Sequence, residues 1–219
     1  MSIEPDTLSA IAGLPGDWHD SGNLGEAVIR RLAALLAERF PEGPALTAET
    51  GCGKSTLLFS RLSREHLCFT TEIGDSHAKT AASPLLDRER VRFVLGPSQR
   101  TLQRHEWSAP LDVALIDGGH GYPFPDLDYY GFYPHLRAGG LLVLDDIHIP
   151  TIANLFRFLQ EDSMWRLVAL ELYTAFFERT DAPTFDPLGD GWVHQRYNRD
   201  RFPHKEWLTP ALGPDWWLK

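Results

Sequence analysis

Near the amino terminus the apolar residues fall at helical spacing. Leu24, Val28, Ile29, Leu32, Leu35 and Leu36 share one face of a helix predicted over 24–40. Asn23 is a candidate cap, and Pro41 with Gly43 end the helix. Residues 1–21 mix Pro, Gly and Asp and read as a loose lead-in. From position 44 the pattern changes, and short apolar runs alternate with helical stretches. Strands are expected at 44–49, 67–72, 91–95, 111–117 and 140–145, with helices at 55–62, 77–86 and 152–160. Runs that are apolar throughout, separated by helices, predict an α/β fold: a parallel sheet covered on both faces.

The end of the pattern differs. Two strand-like runs, 165–170 and 175–179, are separated by only a few residues. So short a link allows an antiparallel hairpin and forbids a parallel crossover. Residues 181–219 then become rich in Pro, Gly, Asp and Trp, with no period. The expected organisation is a helical extension over 1–43, a main domain over 44–180 and an aromatic-rich extension over 181–219. Trp207, Trp216 and Trp217 imply that this last stretch packs on its own domain or on a second subunit, so homo-oligomer formation through the terminal extensions is an expectation.

Composition narrows the function classes. With 43 % hydrophobic residues in 219, the chain can bury a sizeable core. A formal charge of −9 disfavours a nucleic-acid backbone, and no Lys/Arg run offsets it. Only Cys52 and Cys68 are present, at no metal-ligand spacing, which fits a reducing compartment. Neither a secretory pattern nor a long apolar window is visible, so a cytoplasmic protein without membrane contact is expected.

The stretch Thr47-Ala-Glu-Thr-Gly-Cys-Gly-Lys-Ser-Thr56 carries two competing readings. Gly53-Lys54-Ser55 looks like the end of a phosphate-binding loop. That loop needs a glycine five residues before Gly53, where Ala48 stands, and Glu49 would face a triphosphate. A P-loop-like NTPase is therefore the weaker alternative. A dinucleotide turn fails because its third glycine is Thr56. What is left, Glu49-x-Gly51-x-Gly53-x-Ser55, resembles motif I of class I S-adenosylmethionine-dependent methyltransferases. Glycines there let the backbone approach the cofactor closely. The resemblance implies cofactor contacts from Glu49, Gly51, Gly53 and Ser55, with Lys54 a solvent-facing residue. It also implies an acidic residue at the end of the second strand for the ribose hydroxyls; Glu72 is the candidate and Asp75 the fallback. Ser98, in Gly96-Pro97-Ser98 after the third strand, falls where such enzymes contact the adenine.

Asp117 ends one apolar strand, and Asp145 and Asp146 end the next. The carboxyl ends of neighbouring strands face one crevice in an open α/β sheet. Three carboxylates there repel unless they share a cation or a proton, and Mg²⁺ suits such oxygen ligands. Residues 48–149 resemble bacterial small-molecule and sugar O-methyltransferases of the macrocin type and, more distantly, catechol O-methyltransferase. That resemblance implies a Rossmann-like, seven-stranded, mostly parallel sheet with a terminal antiparallel hairpin, S-adenosyl-L-methionine as cofactor, and a metal held by Asp117, Asp145 and Asp146. The chain departs from the macrocin type in Gly118-Gly119-His120. Without a metal, Asp117 serves the cofactor side. His120 and, second to it, His148 are candidate bases for an acceptor hydroxyl. Tyr122 and Phe124 are candidates to line an acceptor pocket, while Asp126 and Asp128 read as caps or solvated positions. The expected activity is O-methylation of a small-molecule acceptor; a non-catalytic cofactor-binding or assembly protein is the third reading.

Overall fold

The computed structural model describes residues 3–20, 24–192, 195–200, 209–210 and 213. Its strands are β1 (Leu46–Thr50), β2 (Glu65–Thr70), β3 (Val91–Leu95), β4 (Leu111–Ile116), β5 (Leu136–Leu144), β6 (Trp165–Glu171) and β7 (Thr174–Arg179). They form one sheet of seven strands in the order β3-β2-β1-β4-β5-β7-β6. The pairs from β3 through β5 are parallel, and β7 pairs antiparallel with both β5 and β6. The predicted sheet and hairpin are both present. Order reverses between β1 and β4, so the crevice of a doubly wound sheet opens at their carboxyl ends.

Strand β4 shows why both faces are covered. Its six residues are all buried. Val113 and Leu115 join a cluster with Ile29, Leu32 and Leu57, while Ala114 and Ile116 join one with Phe132, Ile152 and Leu155. Side chains alternate along a strand, so the stretch 113–116 that serves two cores is apolar without a break. Helices α2 (Glu26–Arg39) and α3 (Lys54–Leu62) contribute to the first cluster. Helices α6 (Phe124–Phe132) and α7 (Pro150–Glu161) contribute to the second. Between them in sequence lie α4 (Ser76–Ala82) and the single turn α5 (Ser98–Thr101).

Three departures bear on the site. The lead-in is not loose: it contains α1 (Pro5–Ala12), whose Ile11 is fully buried against the first cluster. Strand β2 stops at Thr70, short of the expected end at Glu72. The β6–β7 link is only Leu172 and Tyr173, with Leu172 in the left-handed region at φ 52°. The candidate cap Asn23 lies outside the described residues, and α2 begins after Gly25. Trp207, Trp216 and Trp217 also lie outside them. The start of the C-terminal extension packs on the domain, where Tyr133 Oη donates to the Phe185 carbonyl at 3.1 Å. No described helix is long and apolar enough to cross a membrane.

Candidate active site

A cavity of about 600 Å³ opens at the carboxyl ends of β1 to β5, within the range that holds a cofactor-sized ligand. Gly51, Gly53, Ser55, Ser98, Asp117, His120, Asp145 and Asp146 line it. The sheet therefore gathers residues from strand ends widely separated in sequence.

The glycine turn is set by close approach. Gly51 has φ +86°, and a Cβ there would lie 2.1 Å from the Asp117 carbonyl oxygen. Only glycine lets the first turn pass the end of β4 at this distance. Glu49 does not reach the cavity. It is fully buried below the turn, 3.0 Å from His66 Nε2, and it accepts a hydrogen bond from the Thr56 hydroxyl. The same hydroxyl accepts from Gly53 N at 2.9 Å. Glu49 thus holds the turn from beneath, through the threonine that stands in place of a third glycine.

Two further expectations are corrected by position. Glu72 is exposed and outside the lining, because β2 ends two residues earlier; Thr70, Thr71 and Ile73 line the cavity instead. Asp75 is also outside it, paired with Lys79 at 2.7 Å and accepting from Asp20 N at 2.9 Å. Lys54 is not solvent-facing. Helix α1 covers it, leaving 4 % exposure, and its Nζ lies 3.5 Å from the Ala12 carbonyl. Burial lowers the Lys54 pKa, with Glu26 opposing.

At the other side of the cavity the carboxylates converge with His120. Asp146 Oδ2 lies 3.1 Å from His120 Nε2. Asp146 adopts φ 56°, a strained conformation that Asp tolerates better than most residues. The Thr151 hydroxyl, in the first turn of α7, donates to the His120 carbonyl at 2.5 Å and fixes the loop. Burial, then the charges of Asp145 and Asp146, push the Asp117 carboxyl well above its usual range. Asp145 is raised to about 6, chiefly by burial, while the Thr174 hydroxyl donates to its Oδ1.

Donor atoms of Asp117, His120 and Asp146 lie within 4.8 Å of one another, close enough to ligate one ion. The trio differs from the expected set: His120 takes the place of Asp145, one of whose oxygens is committed to Thr174. A carboxyl raised by uncompensated neighbouring charge is what a cation would relieve, so the site fits a divalent ion. His148 is exposed, outside the lining, 3.7 Å from Asp146 and packed on Tyr173. Phe124 lines the cavity and Tyr122, 78 % exposed, does not.

Sequence reasoning missed His19, Leu24, Ser76 and Gln99, which also line the cavity. It also misread Asp128, which is neither a cap nor solvated. Asp128 is fully buried beneath Gly118, and neither of its oxygens has a hydrogen-bond partner among the described residues. Burial raises its pKa to about 6, and the nearby Ser98 and Thr50 hydroxyls offset only part of this. The folded protein therefore keeps this proton from about pH 4 to 6 while the unfolded chain loses it, so stability falls as pH rises through that window. Asp128→Asn is expected to reduce the fall, the rest coming from the likewise raised Asp117 and Asp145, and to stabilise the protein at pH 7 by about 3 kcal/mol, an upper figure from the size of the shift. Urea unfolding at pH 4.5 and pH 7 in both proteins checks this.

Residues 48–147 match the family model described as "Methyltransferase domain". No curated protein matches. Among solved structures the chain is similar to a Klebsiella pneumoniae chain assigned as an O-methyltransferase (TM-score 0.63, 17 % identity, 82 % of this chain and 92 % of that one). It is also similar to the O-methyltransferase TomG of Streptomyces achromogenes, solved with SAM (TM-score 0.59, 18 % identity, 82 % and 92 %). A third is MycE of the mycinamycin pathway, solved with Mg, SAH and mycinamycin VI (TM-score 0.54, 17 % identity, 84 % of this chain and 58 % of that one). The chain thus takes the fold of the class I methyltransferases, and its residues 48–147 match a methyltransferase-domain model.

Proposed function

We propose that the protein is an S-adenosylmethionine-dependent O-methyltransferase of a hydroxylated small molecule or sugar, working in the cytoplasm. The observation that carries this reading is the His120–Asp146 pair facing the same cavity as the Gly51 turn. S-adenosylmethionine supplies a methyl group already activated on a sulfonium. The chain's own residues then have two tasks, positioning and proton removal.

Asp146 Oδ2 lies 3.1 Å from Nε2 as an ion-pair contact, without the alignment of a hydrogen bond, and places a carboxylate beside the imidazole. Nδ1 of His120 is left to take the proton from the acceptor hydroxyl. Phe124 offers an apolar wall beside this polar floor. A second reading rests on the converging donor atoms: Asp117, His120 and Asp146 would hold a divalent cation, which would lower the pKa of an acceptor hydroxyl.

An NTPase fits the site poorly. The Gly51 turn lies against the Asp117 carbonyl with no wide loop to wrap a phosphate, and three carboxylates line the cavity. The test is a screen of phenols, sugars and other hydroxylated molecules for transfer of a labelled methyl group, with and without EDTA. Transfer that survives EDTA supports the histidine base. Transfer lost in EDTA and restored by Mg²⁺ supports the cation. No transfer to any acceptor, with cofactor bound, contradicts the catalytic reading.

A further inference from the structure

The two thiols of the chain, 16 positions apart in sequence, meet in the gap between the glycine turn and β2. Cys52 stands between Gly51 and Gly53, is half-buried and lines the cavity. Cys68 lies on β2 as the register partner of Glu49 and is fully buried. Its Sγ is 3.1 Å from the Gly51 carbonyl oxygen, and that carbonyl is bonded directly to Cys52 N. Thr70, two residues beyond Cys68 and on the same face of β2, donates to Cys52 Sγ at 3.3 Å. The backbones are already at ladder distance here, since Gly51 N donates to the Phe69 carbonyl at 3.0 Å. Little movement therefore separates the two sulfurs from bonding contact.

The two differ in access and in acidity. A small solute reaches Cys52 through the cavity, while Cys68 has no exposure. Hydrogen bonding to the Cys68 side chain lowers the Cys52 pKa, and burial offsets only part of this. Burial raises the Cys68 pKa well above that of a free thiol. The reachable sulfur is thus the one that more readily becomes a thiolate, the nucleophilic form. Its neighbour is placed to resolve whatever forms on it. We propose that Cys52 is an oxidation site for hydroperoxides, and that Cys68 resolves it into a reversible Cys52–Cys68 disulfide beneath the cavity turn.

In the first step the Cys52 thiolate attacks the terminal oxygen of the hydroperoxide. An S–O bond forms, the O–O bond breaks, and the leaving alkoxide or hydroxide takes the proton that Cys52 released. In the second step the Cys68 sulfur attacks the Cys52 sulfur. The S–S bond forms, the S–O bond breaks, and the oxygen leaves as water with the Cys68 proton. Together the sulfurs lose two electrons and the hydroperoxide gains them; a dithiol reverses the bond by exchange. The disulfide removes the Cys68 contact to the Gly51 carbonyl and tethers Cys52 to β2. The turn has little slack, because it already passes the Asp117 carbonyl at the distance only a glycine allows. Cofactor affinity therefore falls in the oxidised form, a consequence that rests on the S-adenosylmethionine reading, whereas the bond itself does not.

The test treats the full chain with hydrogen peroxide and reads free thiols, unreduced peptide masses and affinity for S-adenosylhomocysteine. Both thiols are expected to disappear together, giving one linked Cys52–Cys68 peptide pair within the chain, and dithiothreitol restores them. Affinity falls about 10-fold or more on oxidation, the scale of one lost hydrogen bond at the turn, and returns on reduction. Cys68→Ser stops at a Cys52 sulfenic acid that dimedone traps, and Cys52→Ser leaves Cys68 unreacted. Two free thiols after peroxide, or a bridge formed only between chains, would overturn the proposal. So would a Cys68 that reacts as fast in Cys52→Ser as in wild type. A linked pair with unchanged affinity overturns the claim that the bond acts on the turn. If the reduced protein binds no S-adenosylhomocysteine, the cofactor reading fails instead, and the thiol and mass measurements still decide whether the bond forms.

Discussion

His120→Ala is expected to lower methyl-transfer turnover by about 10²–10⁴-fold, the span typical of a lost general base. Affinity for S-adenosylhomocysteine is expected to change little, because the side-chain ion pair of His120 is with Asp146 and not with the Gly51 turn. Asp146→Asn should act in the same direction with a smaller effect. Asparagine fits the left-handed conformation at φ 56° and keeps the shape, but it cannot stabilise an imidazolium 3.1 Å away. Single-turnover rates with matched binding titrations check both. Should His120→Ala weaken cofactor binding as much as it slows transfer, its role would be structural.

The second large effect is at Gly51. An alanine there places its Cβ 2.1 Å from the Asp117 carbonyl oxygen, and backbone on both sides leaves little room to yield. It must also adopt φ +86°, which alanine disfavours. Overpacking and backbone strain together predict a destabilisation of about 3–5 kcal/mol. Because the clash is with the residue that ends β4, relief would displace Asp117 and the turn together, and cofactor affinity should fall with stability. Thr56→Val is a milder companion. It removes the hydroxyl that links Glu49 to Gly53 N, leaving a buried carboxylate short of one donor. Urea unfolding and S-adenosylhomocysteine titration of both variants check this. A Gly51→Ala protein of wild-type stability and affinity would mean that the turn is looser than described.

The legible and the hidden parts of this site differ in the range of contacts that define them. The β4 run Val-Ala-Leu-Ile and the β5 run Leu141–Leu144 are apolar because two cores bury them, so their strands and the carboxylates beyond them can be read locally. Parallel strands bring their ends to one crevice, which places Asp117, Asp145 and Asp146 together without a structure. Helix α1 was hidden because eight residues show too little of the helical period. Without that helix Lys54 reads as solvent-facing: the cover comes from Ala12, 42 positions away. His19 was invisible for the same reason.

Glu72 was misplaced by a strand end, the least certain boundary to read from local pattern. Two residues decide whether a side chain faces the cavity or solvent. The grouping of His120 with Asp117 and Asp146 depends on the path of the Gly118–Gly119 loop and on Thr174 holding Asp145. Neither is a property of sequence spacing. The carboxylate Asp128 reads as a helix cap because its neighbours in sequence are polar and aromatic. Its neighbours in space, Gly118 and Thr50, come from two other strand ends.

The central claim is that this crevice binds S-adenosylmethionine and not a nucleotide triphosphate. Equilibrium titration of the full chain with S-adenosylhomocysteine and, separately, with ATP–Mg²⁺ tests it most directly. The account predicts saturable, single-site binding of S-adenosylhomocysteine that S-adenosylmethionine competes away, and no binding of ATP–Mg²⁺. Saturable ATP–Mg²⁺ binding with none for S-adenosylhomocysteine would contradict it.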